Sequence, residues 1–142
     1  MRYYIEDLAK YVNQKIELKG WAYNTRSSGK VKFLQLRDGT GIVQCIFFNG
    51  ECNPEAFETF GNITQETSVK VIGTVRQQPN KPGVFEIGAE NFEIIGGAVD
   101  YPITPKEHGT DYLMNHRHLW IRSKRQVAIL RVRARIVKAI RD

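Results

Sequence analysis

The order of strands around one short helix constrains the fold of this chain more than any other feature. Two glycine turns, at Gly29 and at residues 38–41, divide the first part of the chain into three runs with strand character. These turns, together with alternating apolar and polar side chains, predict strands over residues 15–25, 30–37 and 42–48. The chain therefore opens with a three-stranded meander.

A helix separates these strands from two more. Asn53 is a favourable helix cap and Pro54 suits the first helical position, which predicts a helix that ends at Gly61. Further strands are predicted over residues 68–77 and 84–95. A helix between the third and fourth strands of a five-stranded barrel is the arrangement of the OB-fold. We therefore predict a mainly β protein, in which a five-stranded OB-fold barrel is followed by a connector and a C-terminal amphipathic helix.

The sequence divides into three parts. We predict the OB-fold domain over residues 1–97, a connector without periodicity over residues 98–122, and an amphipathic helix over residues 123–142. Ser123 and Gln126 have the spacing of a capping box. The helix has a broad apolar stripe and reaches the last residue without a stop signal, which indicates the truncated start of a further domain. A basic helix that binds a membrane or a nucleic acid is the alternative.

The positive charge of the chain is concentrated in two segments. The chain has 21 Lys and Arg residues against 15 Asp and Glu residues, a net charge of +6. Residues 117–142 have nine Lys and Arg residues and one acid, and residues 10–37 have seven and one. Clustered cations of this kind indicate a polyanionic partner, and those of residues 10–37 lie on the first two predicted strands.

Several classes of protein are not expected from this sequence. No apolar run approaches the roughly 18 residues of a membrane span, and the N-terminus lacks the apolar segment of a signal peptide. Cys45 and Cys52 are the only cysteines and have no histidine near them, so they do not form a zinc pattern. We expect reduced thiols, no metal site and a cytoplasmic location.

Neighbouring strands of the meander combine an aromatic residue with amides and cations. Phe33 and Gln35 should point out of the barrel, because Leu34 and Leu36 alternate with them. Aromatic rings stack on unpaired bases, amides read base edges and cations hold phosphates. The pattern predicts a single-stranded nucleic acid as partner. Ordinary packing of the Phe33 ring is the alternative.

Several motifs in combination resemble a known family. They are Gly20-Trp21, the spacing of Arg26 and Gly29, Phe33, the segment Leu36-Arg37-Asp38-Gly39-Thr40-Gly41, and Gln44. This set resembles the N-terminal anticodon-binding domain of the aspartyl, asparaginyl and lysyl class II aminoacyl-tRNA synthetases. Residues 101–109 and 115–122 are similar to the asparaginyl members in particular, because Trp120 stands where the other two typically have Asp.

The resemblance implies a role for the chain. It implies the first third of an AMP-forming ligase that attaches asparagine to tRNA(Asn), with ATP and magnesium used by a catalytic domain beyond these residues. The helix from Ser123 would begin the first class II motif, at a homodimer interface. The chain itself would hold no catalytic residue, cofactor or metal, and its partner would be the anticodon stem-loop of tRNA(Asn). The alternatives are a stand-alone OB-fold module for single-stranded nucleic acid and the aspartyl equivalent.

The resemblance also implies roles for individual residues. Phe33 would stack on the central anticodon base, a uracil, and Gln44 would hydrogen-bond the edge of that base. Arg26 would contact the stem-loop, and Glu86 would accept hydrogen bonds from the first anticodon base, a guanine or modified guanine. For Gln44 and Glu86 the alternative is an ordinary solvated strand residue.

Four further candidates are less closely tied to the family pattern. Asn80, in the loop between the last two strands, would touch the third anticodon base, and Asn24 would make a loop contact. Lys30 and Lys32 either face phosphates or are merely solvated. Trp21, beside a glycine, is expected to pack on the barrel rather than bind.

Overall fold

The computed structural model describes residues 2–142, and the chain folds as two compact units, Met1–Tyr101 and Pro102–Asp142. The first unit contains five strands, a short α-helix and two 3-10 helices. The strands are β1 (Lys15–Ser28), β2 (Val31–Arg37), β3 (Ile42–Phe48), β4 (Ser68–Gln77) and β5 (Phe85–Gly96). The helices are α1 (Pro54–Thr59) and the 3-10 helices Ile5–Tyr11 and Phe60–Asn62.

The five strands close into a barrel in the order β1-β2-β3-β5-β4, with β4 returning to β1. All neighbours are antiparallel except β3 and β5, which run parallel. Alternate side chains of each strand fill the interior, among them Leu18, Leu34, Leu36, Phe47, Val69 and Ile87. The predicted mainly β, OB-type barrel with a helix after its third strand is therefore confirmed.

A bulge at Tyr23 changes which side chains of β1 face outward. Ala22 pairs with Leu36, whereas Asn24 pairs with Gln35, so Tyr23 is an extra residue in the ladder. Beyond the bulge, β1 continues to Ser28 instead of ending at residue 25 as predicted. The even-numbered residues of this extension therefore share a face with the outward residues of β2.

The hairpin between β2 and β3 is organised by the buried carboxylate of Asp38. Its Oδ1 accepts hydrogen bonds from the backbone N–H groups of Thr40 at 2.7 Å and Gly41 at 2.9 Å. Its Oδ2 accepts from the backbone N–H of Ile5 at 2.9 Å. One side chain thus fixes the turn and attaches the N-terminal 3-10 helix to the end of the barrel.

Helix α1 begins where the sequence predicts it. The side chain of Asn53 accepts a hydrogen bond from the backbone N–H of Glu55 at 2.9 Å, and Pro54 occupies the first helical turn. The α-helical part ends at Thr59, and the chain continues through the 3-10 turn Phe60–Asn62. The predicted end at Gly61 therefore falls inside this last turn.

Loss of the Asn53 cap should destabilise the barrel modestly. Asn53→Ala removes the acceptor for Glu55 N–H, and we expect the free energy of unfolding to fall by about 1 kcal/mol. Asn53→Asp keeps a capping oxygen and should leave stability almost unchanged. Urea unfolding followed by circular dichroism measures both variants. An alanine variant as stable as the natural chain would show that this cap contributes nothing.

Both cysteines are free thiols and both are buried. Cys45 lies inside the barrel on β3, and burial raises the pKa of its thiol far above the ordinary range. Burial also raises the pKa of the Cys52 thiol, which lies just before α1. The thiol forms of both residues are therefore favoured at neutral pH.

The second unit is more helical than predicted. The sequence predicts no periodic structure over residues 98–122, but this segment contains α2 (Thr110–Asn115) and a 3-10 helix, Trp120–Arg122. A six-residue helix is too short to produce a recognisable apolar period. The sequence did contain one local indication of a helix, because His108, Tyr112 and His116 recur every four residues. Their rings stack, with centroid distances of 4.8 Å between His108 and Tyr112 and 4.4 Å between Tyr112 and His116.

The last helix, α3 (Lys124–Arg141), starts at the predicted cap. The Ser123 hydroxyl accepts a hydrogen bond from the backbone N–H of Gln126 at 3.4 Å. Most of its apolar side chains, among them Ile129, Val132 and Ile136, are exposed. None of the helices within residues 2–142 is long and apolar enough to cross a membrane.

Candidate nucleic-acid interface

Four polar side chains form a row across the outer surface of the barrel. Asn24 on β1 pairs with Gln35 on β2, Gln35 with Gln44 on β3, and Gln44 with Glu86 on β5. Residues that pair directly across neighbouring strands lie on the same face of a sheet. We call these four residues the polar row. It presents three carboxamides and one carboxylate, which together offer both donors and acceptors.

The polar row borders a surface depression of about 200 Å³. The residues that line it are Asn24, Thr25, Arg26, Phe33, Gln35 and Gln44. Leu34 and Leu36 are fully buried, so Phe33 and Gln35 do alternate outward as predicted. The structure therefore brings four of the sequence-predicted residues, Arg26, Phe33, Gln44 and Asn24, to one place.

The aromatic ring in this depression already has a cationic neighbour. The guanidinium carbon of Arg26 lies 4.5 Å from the centroid of the Phe33 ring, because the two residues pair directly across β1 and β2. An exposed cation–π contact contributes about 0.5–1 kcal/mol, whereas stacking of a base on an aromatic side chain contributes about 1–3 kcal/mol. Stacking of a base on Phe33 can therefore displace Arg26 from the ring. The guanidinium is then available for a phosphate.

Glu86 lies on β5, and Asn80 lies in the turn that connects β4 to β5. Glu86 is half-buried beside Gln44, and its Oε2 accepts a hydrogen bond from Nε2 of Gln78 at 3.0 Å. Asn80 is exposed in the turn between β4 and β5. Neither residue lines the depression. A ligand that reaches them must extend across β3 and β5.

The two lysines predicted as possible phosphate contacts have different surroundings in the structure. Lys30 is exposed at the turn between β1 and β2, next to Gly29, whose φ of 55° suits glycine. Lys32 has the inward orientation of Leu34. Its ammonium contacts the Phe57 carbonyl oxygen and lies 4.2 Å from the centroid of the Phe57 ring. Lys32 is half-buried and packs against α1, on the opposite face of β2 from Phe33 and Gln35.

Sequence reasoning did not select Gln35 as a binding residue, although it occupies the centre of the polar row. The signal was present, since the alternation that directs Phe33 outward also directs Gln35 outward. Trp21 is half-buried and pairs with Arg37 on β2 and Ser68 on β4. Among residues 2–142 no group of three or more His, Cys, Asp and Glu side chains could hold a metal ion.

Known proteins resemble the chain in sequence and in structure. It is 53% identical over 137 residues to an asparagine--tRNA ligase of Sorangium cellulosum, a match that covers 96% of this chain and 31% of that protein. It is 43% identical over 143 residues to the asparagine--tRNA ligase of Thermus thermophilus, covering 100% and 33%. The crystal structure of asparaginyl-tRNA synthetase from Pyrococcus horikoshii complexed with asparaginyl-adenylate matches with a TM-score of 0.87 and 32% identity, covering 99% and 33%.

These relatives are longer than the chain, which spans about a third of their length. Residues 16–95 match the family described as OB-fold nucleic acid binding domain. The matched segment is more than half of the chain and runs from the start of β1 almost to the end of β5. It includes the polar row and the depression. The chain therefore belongs to the tRNA anticodon family of OB-fold nucleic acid binding domains.

Proposed function

We propose that this chain binds the anticodon stem-loop of tRNA(Asn) as the N-terminal part of an asparaginyl-tRNA synthetase. The observation that carries the proposal is the meeting of Phe33 and Arg26 with three members of the polar row, Asn24, Gln35 and Gln44, at one depression. A ring for stacking, amides for base edges and a cation for phosphate are what an unpaired nucleotide requires. The similarity to proteins named asparagine--tRNA ligase supports the choice of tRNA.

Each side chain has a separate role in this proposal. The central uracil of the anticodon stacks on Phe33, and the amide of Gln44, which both donates and accepts, hydrogen-bonds its edge. Arg26 leaves the ring and contacts a phosphate. Glu86 accepts hydrogen bonds from the first anticodon base. Asn80 and Asn24 extend the contacts to the third base and to the loop backbone.

For the whole protein we propose the AMP-forming ligation of asparagine to tRNA(Asn). ATP and magnesium would serve that reaction in a homodimeric, cytoplasmic enzyme. The side chains of residues 2–142 do not fit a metal-bound nucleotide, since they contain no cluster that could hold a metal ion. The residues that bind ATP and magnesium would therefore lie outside this chain, in the remaining two thirds of the relatives' length.

Base preference at the central anticodon position tests the proposed function. Two stem-loop RNAs that differ only at this base, with anticodons GUU and GCU, are titrated with the chain, and fluorescence anisotropy reports the dissociation constants. We expect tighter binding of GUU. A stand-alone module for single-stranded nucleic acid would bind the two loops equally, because every base has a face to stack on. Equal dissociation constants would therefore contradict the proposal.

Arg26 should affect the salt dependence of binding more than base preference. Arg26→Ala removes one phosphate contact, so the slope of log K against log salt should become shallower by about one unit. Lys19→Ala is the matched control, because Lys19 lies on the same strand but pairs with Glu17 at 3.3 Å, away from the depression. Titrations at several salt concentrations measure both slopes. An unchanged slope with relaxed base preference would identify Arg26 as a base reader instead.

A further inference from the structure

The carboxylate of Glu86 is held by a side chain from the end of β4. Gln78 donates a hydrogen bond from Nε2 to Oε2 of Glu86 at 3.0 Å. Within residues 2–142 the structure records no other hydrogen bond or ion pair to this carboxylate, so Oε1 has no protein partner there. An ionised carboxylate only accepts hydrogen bonds. The free oxygen therefore remains available to a donor on a ligand.

Gln78 is itself fixed by the turn in which it lies. Its backbone N–H donates to the Val84 carbonyl oxygen at 2.9 Å, and its carbonyl oxygen accepts from Lys81 N–H at 3.2 Å. The side chain is half-buried beside Glu86. Both ends of the Gln78–Glu86 hydrogen bond are thus anchored, one in the turn and one in β5. This arrangement limits the rotation of the Glu86 side chain before any ligand binds.

The neighbouring cation does not replace Gln78 in this role. Arg76 pairs with Glu86 across β4 and β5, but its guanidinium lies over Gly88, where an added Cβ would come within 2.6 Å of it. Its Nη2 is 3.8 Å from Oε2 of Glu51. A neutral amide orients the carboxylate without cancelling its charge. The hydrogen bond from Gln78 therefore leaves the other carboxylate oxygen of Glu86 open to a ligand.

We propose that Gln78 is a positioning residue, which orients Glu86 to recognise guanine as the first anticodon base. This inference rests on the proposed function. The Watson–Crick edge of guanine carries N1–H and N2–H donors side by side, whereas adenine lacks this pair of donors, so an oriented acceptor favours guanine. An unrestrained glutamate would lose rotamer freedom on binding. Gln78 reduces that cost by restricting the side chain in advance.

The test compares stem-loops with the anticodons GUU, AUU and GCU on the 142-residue chain. Gln78→Ala should lower the preference for GUU over AUU by about three- to tenfold, the effect of ordering one long side chain. It should leave the preference for GUU over GCU unchanged. Gln77→Ala is the matched control, because Gln77 is an exposed glutamine on the same strand end, and it should change neither preference. In a Glu86→Gln background, Gln78→Ala should have no further effect.

The outcomes separate this inference from the proposed function. If the natural chain binds GUU and GCU equally, the proposed function is wrong. The inference about Gln78 is then wrong as well, because it rests on that function. If the natural chain prefers GUU over GCU but Gln78→Ala keeps the full preference for the first-position guanine, only the positioning role is overturned. A variant that loses both preferences to the same extent overturns it too, because a general structural defect would act on every base.

Discussion

Replacement of Arg37 by alanine should lower the free energy of unfolding by about 3–5 kcal/mol, the usual cost of removing one partner from a buried ion pair. Nη2 of Arg37 lies 2.6 Å from Oε2 of Glu66, and the two side chains are only 13% and 3% exposed. The variant removes this guanidinium from beside the buried Glu66 carboxylate. Urea unfolding at neutral pH measures the loss, provided that the slope of the unfolding free energy against urea stays constant.

A second ion pair of the same length provides the control. Nζ of Lys10 lies 2.6 Å from Oδ1 of Asp7, but the Lys10 side chain is 70% exposed. Solvent screens such a pair, so Lys10→Ala should leave the unfolding midpoint unchanged within error. Equal effects of Arg37→Ala and Lys10→Ala would contradict the assignment of Arg37 to a buried, stabilising pair.

Phe33→Ala and Gln44→Ala should each weaken binding of the GUU stem-loop, by different routes. Loss of the stacking ring should cost about 1–3 kcal/mol of binding free energy. Loss of the Gln44 amide should cost about 1–3 kcal/mol of discrimination at the base it reads. Both residues line the same depression, so both effects should concern the central uracil. Exchange of this uracil for cytosine should therefore lower the affinity of the natural chain. The same exchange should lower the affinity of the Gln44→Ala variant much less.

Comparison of the two loops across the variants is more informative than the loss of affinity in any single variant. Fluorescence anisotropy with the GUU and GCU loops gives four dissociation constants for each comparison, two for the natural chain and two for the variant. Gln77→Ala again controls for the removal of an exposed amide. In a sequence-independent binder, Phe33→Ala would weaken the binding of both loops to the same extent. Gln44→Ala would not weaken the binding of one loop more than that of the other. That result would show that the depression stacks bases without reading them.

Local features of the sequence predict most of the barrel. The strands β2 and β3 fall within one residue of their predicted bounds, because glycine turns and alternation mark both ends. Helix α1 follows from the local chemistry of Asn53 and Pro54. The extension of β1 beyond residue 25 was not predictable in this way. It rests on pairing with β2, and the bulge at Tyr23 that sets which residues face outward also appears only in that pairing.

The candidate site depends on contacts that a local pattern does not encode. Gln44 and Glu86 become neighbours through the parallel pairing of β3 with β5, two strands separated by α1 and β4. The contact of Lys32 with α1 is one that strand alternation alone could have predicted. The alternation that directs Leu34 into the barrel places Lys32 on the same side, where it packs on α1. The positive charge of Lys32 suggests a phosphate contact, whereas its position in the strand alternation favours packing on α1.

The position of β5 between β3 and β4 also bears on how the chain is made. During synthesis from the N-terminus, β3 keeps an unpaired edge until β5 has left the ribosome, because no earlier strand can take that place. The Gln44–Glu86 neighbourhood is therefore assembled last, when the barrel closes. A nascent chain that stops before β5 lacks Glu86 and the strand that closes the barrel beside Gln44, so the polar row is completed only with the domain.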